Sequence, residues 1–388
     1  MADLYFDNAA TSFPKPPEVV EQINHFLVNI GTNINRGLYD SSFSAANTVM
    51  ETRELLCALF HYPDPANVVF TKNITESLNI VIKGLLHPGD HVLISSLEHN
   101  AVIRPLHSLM ANGVTVSPVP CSKEGTLDLA ALPKLYQPNT KAIIMTHASN
   151  VCGSILPLKE VGRFCREKKI FFIIDSAQTA GFLDLDFTEL RADALTFTGH
   201  KGLLGPMGTG GLLINKQLAT VLAPLIEGGT GSFSEHESQP QQLPDKFEAG
   251  TMNIPGIYGL NAAIKYLFQK GLRNIREREL FLTDYFLQGI KNIEGIKIIG
   301  SADTYNRTPI VSLDFPRQDS AEIAYRLAKD YHILTRCGLH CAPSAHKTLG
   351  TFPQGTVRFS FSHFNTKEEI EFTLKTLNKL LSAKNQLL

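Results

Sequence analysis

Continuously hydrophobic runs alternate with amphipathic segments between about residues 67 and 215. Seven of these runs predict strands, at residues 67–71, 91–96, 114–119, 141–147, 169–175, 193–198 and 210–215. Helical periodicity between several of them predicts helices, for example over 76–85 and 157–169. Because the runs are apolar without alternation, we expect a seven-stranded, mostly parallel sheet that is buried on both faces. The predicted fold class is α/β, and such sheets bind ligands at the carboxyl ends of their strands.

The pattern changes after the last of these runs. Residues 230–245 are polar and rich in Gly, Ser, Gln and Pro, which predicts a long loop. A helical stretch follows over roughly 257–291, and apolar runs at 309–315, 332–338 and 356–362 predict a smaller sheet with helices around it. We therefore expect a large domain over residues 16–256 and a smaller α+β domain formed by residues 1–15 and 257–388.

Composition narrows the classes of protein that fit this pattern. The 388 residues carry 36 basic and 37 acidic side chains, a formal net charge of −1, and no basic run. Nucleic acid and anionic membrane are therefore not expected as partners. The N-terminal residues do not read as a signal peptide, and no apolar stretch reaches the roughly 20 residues of a membrane span. The 6 cysteines form no CxxC pair, which favours reduced thiols in a cytoplasmic protein.

Polar residues cluster where predicted strands end. Five of these ends are followed or closed by a polar side chain: Thr75, His99, Asn150, Asp175 and Lys201. Because the carboxyl ends of parallel strands share one edge of the sheet, we expect these side chains on one side of it. Asn73 and Glu76 also fit a capping box at a helix start, and the free amides of such a start suit a phosphate.

One ligand matches these groups together. A phosphate suits the start of the helix near Asn73 and three further side chains, those of Thr75, Thr198 and His200. A protonated ring nitrogen suits Asp175, a flat aromatic ring suits His99, and an aldehyde suits Lys201. Pyridoxal phosphate combines these features and needs a protein lysine. Each residue alone has an ordinary explanation, such as a loop lysine or a helix cap, but their joint placement does not, and no nucleotide-binding glycine motif is present.

Eleven segments carry a resemblance to a known family, in the family's order and over nearly the whole chain. They are YFDNAATS (5–12), NRG (35–37), NITESLN (73–79), EHNA (98–101), HASNVCG (147–153), DSAQ (175–178), TGHKGLLGPMGTGG (198–211), EGG (227–229), FEAGTMN (247–253), RCGLHCAP (336–343) and VRFSFSHFNT (357–366). The chain resembles the fold-type I pyridoxal phosphate enzymes of aminotransferase class V. It is most similar to their cysteine desulfurase and selenocysteine lyase branch. The short segment between Cys341 and Arg358 resembles the type II group of desulfurases.

The resemblance implies a homodimer that uses pyridoxal 5'-phosphate to convert L-cysteine to L-alanine. Cys341 would take the sulfur as a persulfide and pass it to an acceptor protein. Lys201 would bond the cofactor and move the Cα proton, while His99 would stack on the ring and shuttle a proton. The implied cofactor-binding residues also include Thr75, Asn150, Asp175, Gln178, Thr198, His200 and Thr251 of the partner subunit. The implied substrate-binding residues are Arg358, Asn150 and Arg36.

Several alternatives stay open at this stage. A selenocysteine lyase would share the architecture, and another class V aminotransferase or β-lyase would release a keto acid or pyruvate. A catalytically silent sulfur carrier or scaffold would need no cofactor.

Cys341 could also be a buried hydrophobe, a disulfide partner of Cys337, or a zinc ligand with His340 and His346. No metal is expected, since CxxHC lacks two clear ligand pairs. The short 230–247 region leaves the sulfur acceptor open, and the role of Cys337 is not assigned.

Overall fold

The computed structural model describes residues 3–34 and 37–382, so the predicted substrate residue Arg36 lies outside the described residues. A two-residue strand opens the chain and seven longer ones follow. They are β1 (Leu4–Tyr5), β2 (Val68–Thr71), β3 (His91–Ser95), β4 (Thr115–Val119), β5 (Thr140–Thr146), β6 (Phe171–Asp175), β7 (Ala194–Thr198) and β8 (Gly210–Ile214). Strands β2 to β8 form one sheet in the order β2-β8-β7-β6-β5-β3-β4. All neighbours from β4 to β7 pair in parallel, and β8 is antiparallel to both of its neighbours. The predicted mostly parallel seven-stranded sheet is confirmed.

Helices connect these strands and cover the sheet. They are α1 (Pro17–His25), α2 (Asp40–Leu59), α3 (Ile74–Leu85), α4 (Asn100–Met110), α5 (Leu132–Leu135), α6 (Leu158–Lys168), α7 (Lys216–Val221), α8 (Ile254–Lys270), α9 (Leu272–Ile290), α10 (Ser320–Tyr331), α11 (Pro343–Leu349) and α12 (Lys367–Ser382). A π-helical turn, Phe26–Ile30, follows α1, and short 3₁₀ turns lie at Pro65–Asn67 and Leu129–Ala131. Helices α3 and α6 occupy the positions predicted for them. The stretch 257–291 is two helices instead of one, because Gly271 adopts φ 79°, which ends α8 before α9 begins.

The start of α3 shows how local sequence sets a helix boundary beside the sheet. The Asn73 side chain accepts a hydrogen bond from the Glu76 amide at 3.0 Å, which caps the helix. The Glu76 carboxylate reaches back to the amide of Lys72 at 2.6 Å, one residue before the position that the capping box predicts. The predicted cap is therefore present, and it fixes the first turn of α3 at the carboxyl end of β2.

A second, smaller sheet follows in the C-terminal third of the chain. The strands of this region are β9 (Lys297–Ile299), β10 (Ile310–Asp314), β11 (Ile333–Leu334), β12 (Arg336–Gly338) and β13 (Thr356–Ser360). Four of these strands form an antiparallel sheet in the order β12-β13-β10-β9. The predicted run 332–338 is split, since β11 pairs in parallel with β1 and only β12 joins the sheet. The short strand β9 was not predicted. The N-terminal residues therefore lie against the C-terminal part of the chain.

Two apolar layers cover the large sheet and a third core lies under the small one. One layer includes Leu56, Phe172 and Phe197, and the layer on the other face includes Val81 and Ile173. The third core packs α9 and α12 against the small sheet. Helix α8 packs against α1 and α2, so the change from one core to the next falls between α8 and α9. The division into two domains remains our proposal. No helix among the described residues has the length and apolar character needed to cross a membrane.

Candidate active site

Asp175 and Lys201 form the centre of the candidate site. Asp175 is the last residue of β6, is 2% exposed, and accepts a hydrogen bond from the Ala177 amide at 2.9 Å. Burial raises the pKa of Asp175, opposed by that amide and by the charge of Lys201. Burial also lowers the pKa of Lys201 to about 8, because desolvation outweighs the attraction of Asp175, and Arg358 and Arg336 add repulsion. A buried carboxylate thus lies near an amine that is poised to lose its proton.

His99 lies beside this pair at the start of α4. Its Nδ1 accepts a hydrogen bond from the Ala101 amide at 3.0 Å, which caps the helix. The neutral imidazole therefore carries its proton on Nε2. Burial lowers the pKa of His99 to about 4, and the positive charges of Lys201 and Arg358 contribute. His99 is consequently neutral near pH 7, with one ring N–H available to a ligand.

Cys341 is exposed in a cleft that it shares with Thr75, His99 and Arg104. Its carbonyl accepts a hydrogen bond from the Asn100 amide at 2.8 Å, which ties the loop to the start of α4. Both His340 and Cys341 have left-handed backbone conformations, with φ 48° and φ 56°. Such conformations cost free energy in non-glycine residues and are concentrated at functional sites. The structure therefore holds the thiol of Cys341 in the cleft with His99.

Asn150 joins the Cys341 loop to the buried side of the site. Its side chain donates to the His340 carbonyl at 2.7 Å, and its own carbonyl accepts from Arg358 Nη1 at 3.0 Å. Asn150 is only 8% exposed. The observed contacts of Asn150 therefore position the thiol loop and Arg358.

Cys337 lies on β12, where its neighbour Arg336 approaches Asp7 with 3.8 Å between Arg336 Nη1 and Asp7 Oδ2. Successive side chains of a strand point to opposite faces, so Cys337 points away from Asp7. Burial and the carboxylate of Asp319 raise the pKa of the Cys337 thiol. Neither this cysteine nor Cys341 is in a disulfide. Cys337 is thus not among the residues that line the Cys341 cleft, and its role stays unassigned.

The zinc alternative finds no support in the described part of the chain, where no group of three or more His, Cys, Asp or Glu residues is placed to hold a metal ion. His340 Nε2 is hydrogen-bonded to Thr356 Oγ1 at 3.0 Å, and His346 Nδ1 to Thr351 Oγ1 at 2.7 Å. Both imidazoles are buried and engaged in structural hydrogen bonds.

Two buried polar atoms near Lys201 have no hydrogen-bond partner: Thr198 Oγ1 and His200 Nδ1. Leaving such an atom unsatisfied costs about 1–3 kcal/mol, so the pair indicates a place for a polar ligand. The backbone of His200 is fixed, since its carbonyl accepts from the Ser12 amide at 2.9 Å and from Lys15 Nζ at 3.0 Å. Burial lowers the pKa of His200 to about 4, with Lys201 and Lys15 contributing. The neutral imidazole of His200 and the hydroxyl of Thr198 can thus both hydrogen-bond to a polar ligand.

The remaining predicted cofactor residues occupy different places. Gln178 lines a pocket with Lys201 and Ala9, and its side chain donates to the Ala9 carbonyl at 3.2 Å. Thr75 lies in the first turn of α3 and lines the Cys341 cleft. Thr251 lines another cleft, on the side of α3 that carries Glu76, and is not brought to Cys341 within one chain. Its contribution from a partner subunit stays a prediction.

Arg358 is the buried cation of the site, 2% exposed on β13. Besides its bond to Asn150, it donates from Nη2 to Asp7 Oδ1 at 2.9 Å. Its Nε is buried and has no partner. Burial lowers the pKa of Arg358, opposed by Asp7. Sequence reasoning missed Asp7, whose only signal was its place inside the segment YFDNAATS.

Glu98 was also missed, although it directly precedes His99. Its side chain is 0% exposed and accepts hydrogen bonds from the Ser95 hydroxyl and from the Thr146 amide at 2.9 Å. Burial raises the pKa of Glu98 to about 8, and the charge of Asp175 contributes. Glu98 therefore joins the ends of β3 and β5 beneath the site. A carboxylate two residues after the apolar run 91–96 was the signal that could have revealed it.

Comparison with known proteins identifies the class to which this fold and site belong. Residues 4–372 match the family model of aminotransferase class V. The chain belongs to the aminotransferase class V family, which confirms the resemblance seen in its motifs. Two similar proteins carry the name probable cysteine desulfurase. The one from Methanothermobacter thermautotrophicus is 33% identical over 381 residues, 97% of this chain and 94% of the relative. The one from Pyrococcus abyssi is 35% identical over 388 residues, 98% of this chain and 94% of the relative.

Solved structures lead to the same branch of the family. The apo structure of the cysteine desulfurase from Thermococcus onnurineus NA1 superposes with a TM-score of 0.91 at 32% identity, covering 98% of this chain and 95% of that one. The S-sulfonic acid form of the cysteine desulfurase CsdA from Escherichia coli has a TM-score of 0.88 at 28% identity, with coverage of 98% and 95%. The predicted fold is thus shared with proteins named cysteine desulfurases.

Proposed function

We propose that this protein is a pyridoxal phosphate-dependent L-cysteine desulfurase of the type II group. It converts L-cysteine to L-alanine and retains the sulfur as a persulfide on Cys341 for transfer to an acceptor. The observation that carries the proposal is the exposed thiol of Cys341 in one cleft with neutral His99, close to the half-buried Lys201 and the buried Asp175. The names of the two relatives described above support the same activity.

The residues present fit pyridoxal phosphate. Thr198 Oγ1 and His200 Nδ1 are buried and lack partners, as expected for atoms that hold a phosphate. Asp175 is a buried carboxylate, for which a protonated ring nitrogen is a fitting counter-charge. Lys201 supplies an amine with a pKa of about 8, which reacts with an aldehyde in its neutral form. When bound, this cofactor supplies an electron-withdrawing ring that stabilises negative charge at the substrate's Cα.

The chain's own groups divide the remaining work. Lys201 removes the proton from Cα and can return one, since its pKa lies close to neutrality. Arg358 binds the substrate carboxylate and so fixes the orientation of the C–S bond. The Cys341 thiolate then bonds to the substrate sulfur as the C–S bond breaks, and the electron pair of that bond stays with carbon. Protonation of Cβ and the return of a proton from Lys201 to Cα give alanine, and the persulfide remains on Cys341.

Exposed apolar side chains support the homodimer. Six of them lie on α1, on the π-helical turn after it, directly before α2 and in the first turn of α2: Val20, Leu27, Val28, Leu38, Tyr39 and Phe43. Exposed apolar side chains that are grouped in one region of the chain are typical of an interaction site. We propose that a second copy of the chain covers them and that Thr251 contributes to the phosphate site of the partner subunit. We place the enzyme in the cytoplasm, a reducing compartment that suits 6 unpaired cysteines.

Product analysis tests the proposal. The purified protein is incubated with L-cysteine and a reductant, and alanine, sulfide, pyruvate and keto acids are quantified. We expect alanine and sulfide in equal amounts, and neither from Lys201→Ala. Pyruvate or a keto acid as the main product would assign a β-lyase or an aminotransferase instead. Parallel turnover of L-selenocysteine measures the preference between the two substrates, and a strong preference for selenium would assign a selenocysteine lyase.

A further inference from the structure

The N-terminal segment 7–15, named here the N-terminal strap, touches three site residues from different parts of the chain. Its Asp7 carboxylate accepts from Arg358, its Ala9 carbonyl accepts from Gln178 at 3.2 Å, and its Lys15 donates to the His200 carbonyl at 3.0 Å. The strap thus runs from the substrate side of the site to the phosphate side. None of the proposed roles accounts for its only carboxylate, that of Asp7.

The strap is anchored beside Arg358. The Asn8 side chain donates to the Ser360 carbonyl at 3.0 Å, and the Ala9 amide donates to Ser360 Oγ at 2.8 Å. Ser360 and Arg358 are two residues apart on β13 and share one face of the strand. The backbone next to Asp7 is therefore held against β13 by contacts of Asn8 and Ala9, in addition to the ion pair that Asp7 makes.

The guanidinium of Arg358 is held at two of its three nitrogens. Nη1 donates to the Asn150 carbonyl at 3.0 Å and Nη2 donates to Asp7 Oδ1 at 2.9 Å, which fixes the plane of the group. Nε remains buried without a partner. A substrate carboxylate therefore meets a guanidinium whose plane is already set by two protein contacts, as bidentate binding requires.

The positive charges of Arg358 and Arg336 explain why a carboxylate is needed at position 7. Arg358 is 2% exposed, and Arg336 approaches Asp7 Oδ2 at 3.8 Å from Nη1. A buried guanidinium without a counter-charge is costly and tends to rearrange. Asp7 lies between the two arginines and offsets the charge of one of them while leaving the Nε of Arg358 unengaged.

We propose that Asp7 is a positioning residue for the recognition of the substrate carboxylate. It holds the plane of the Arg358 guanidinium in the orientation in which this group meets the bound amino acid, and it touches neither the substrate nor the reacting atoms. This inference rests on the proposed function, because it takes the ligand of Arg358 to be the α-carboxylate of an amino acid. It adds a specificity determinant that the motifs did not assign.

Paired ligands test the inference on the cofactor-loaded protein. L-Alanine and ethylamine differ in the α-carboxylate, and their dissociation constants are measured by absorbance titration for the wild type, Asp7→Asn and Arg336→Gln. Melting temperatures are recorded for the same proteins. Asp3→Asn is the matched control, because it removes an exposed ion pair with His332 from the same end of the chain.

We expect Asp7→Asn to weaken L-alanine binding at least about tenfold and to leave ethylamine binding unchanged. The KM for L-cysteine should rise in parallel with little change in kcat, and Asp3→Asn should behave as the wild type. A lower melting temperature with unchanged L-alanine affinity would reduce Asp7 to a structural role and overturn the inference. Tighter L-alanine binding would also overturn it, because Asp7 would then compete with the substrate.

The two failures are distinguishable. A wild-type protein that binds L-alanine more tightly than ethylamine but makes no alanine from L-cysteine would refute the proposed function, while the Asp7→Asn titrations still decide the inference. A wild-type protein that does not distinguish L-alanine from ethylamine would overturn the inference directly. Loss of L-alanine binding in Arg336→Gln but not in Asp7→Asn would assign the carboxylate to Arg336 and overturn it as well.

Discussion

The amine of Lys201 in the cofactor-free protein should titrate far below an ordinary lysine. Burial lowers its pKa from 10.5 to about 8, a difference of about 3.4 kcal/mol between its two protonation states. At pH 7 this leaves about 300 times more neutral amine than a lysine with a pKa of 10.5 would have. The neutral amine is the form that bonds an aldehyde or takes a proton, so this lysine is prepared for both tasks before any ligand arrives.

Acetylation with acetic anhydride from pH 6 to pH 11 measures this property. Peptide mass spectrometry follows Lys201, with the surface residue Lys123 as an internal reference for the reagent. We expect the rate at Lys201 to rise with a midpoint near pH 8. Asp175→Asn should move that midpoint lower, because the charge of Asp175 raises the pKa of Lys201. A midpoint near 10.5, or an upward movement in Asp175→Asn, would refute the reasoning.

Three further predictions concern single side chains. Arg358→Lys should raise the KM for L-cysteine at least tenfold, about 1.4 kcal/mol, because an ammonium cannot reproduce the planar fork; an unchanged KM in steady-state assays would remove Arg358 from carboxylate binding. Cys341→Ser should keep the cofactor absorbance but form no alanine, whereas Cys337→Ser should stay close to the wild type; sulfur found by mass spectrometry on Cys337 alone would contradict the assignment. The melting temperature of Glu98→Gln, compared with that of the wild type at the same pH, should rise as the pH increases from 4.5 to about 8. The folded wild type keeps a proton on Glu98 that the unfolded chain loses, so its stability falls over that range, and a constant difference would argue against a raised pKa.

The strands of the large sheet and the residues at their ends were predictable from local pattern. Apolar runs of strand length and the cap at Asn73 are properties of neighbouring residues, and parallel strands bring their carboxyl ends to one edge. That geometry predicts from the sequence alone that His99, Asp175 and Lys201 lie at one edge of the sheet. The break at Gly271 was missed because apolar periodicity continues on both sides of it.

The fold class, the family and the candidate reactive groups could be predicted from the sequence, because these depend on runs and motifs that are local in the chain. How those groups are charged and oriented depends on long-range packing and could be seen only in the folded structure. The pKa values of Lys201 and Glu98 follow from burial, which no short segment encodes. The ion pair of Asp7 with Arg358 joins residues 351 positions apart, and it exists because β1 and the strap lie against the C-terminal strands. Long-range packing, which sets desolvation and orientation, therefore completed a site whose components were already present in the sequence.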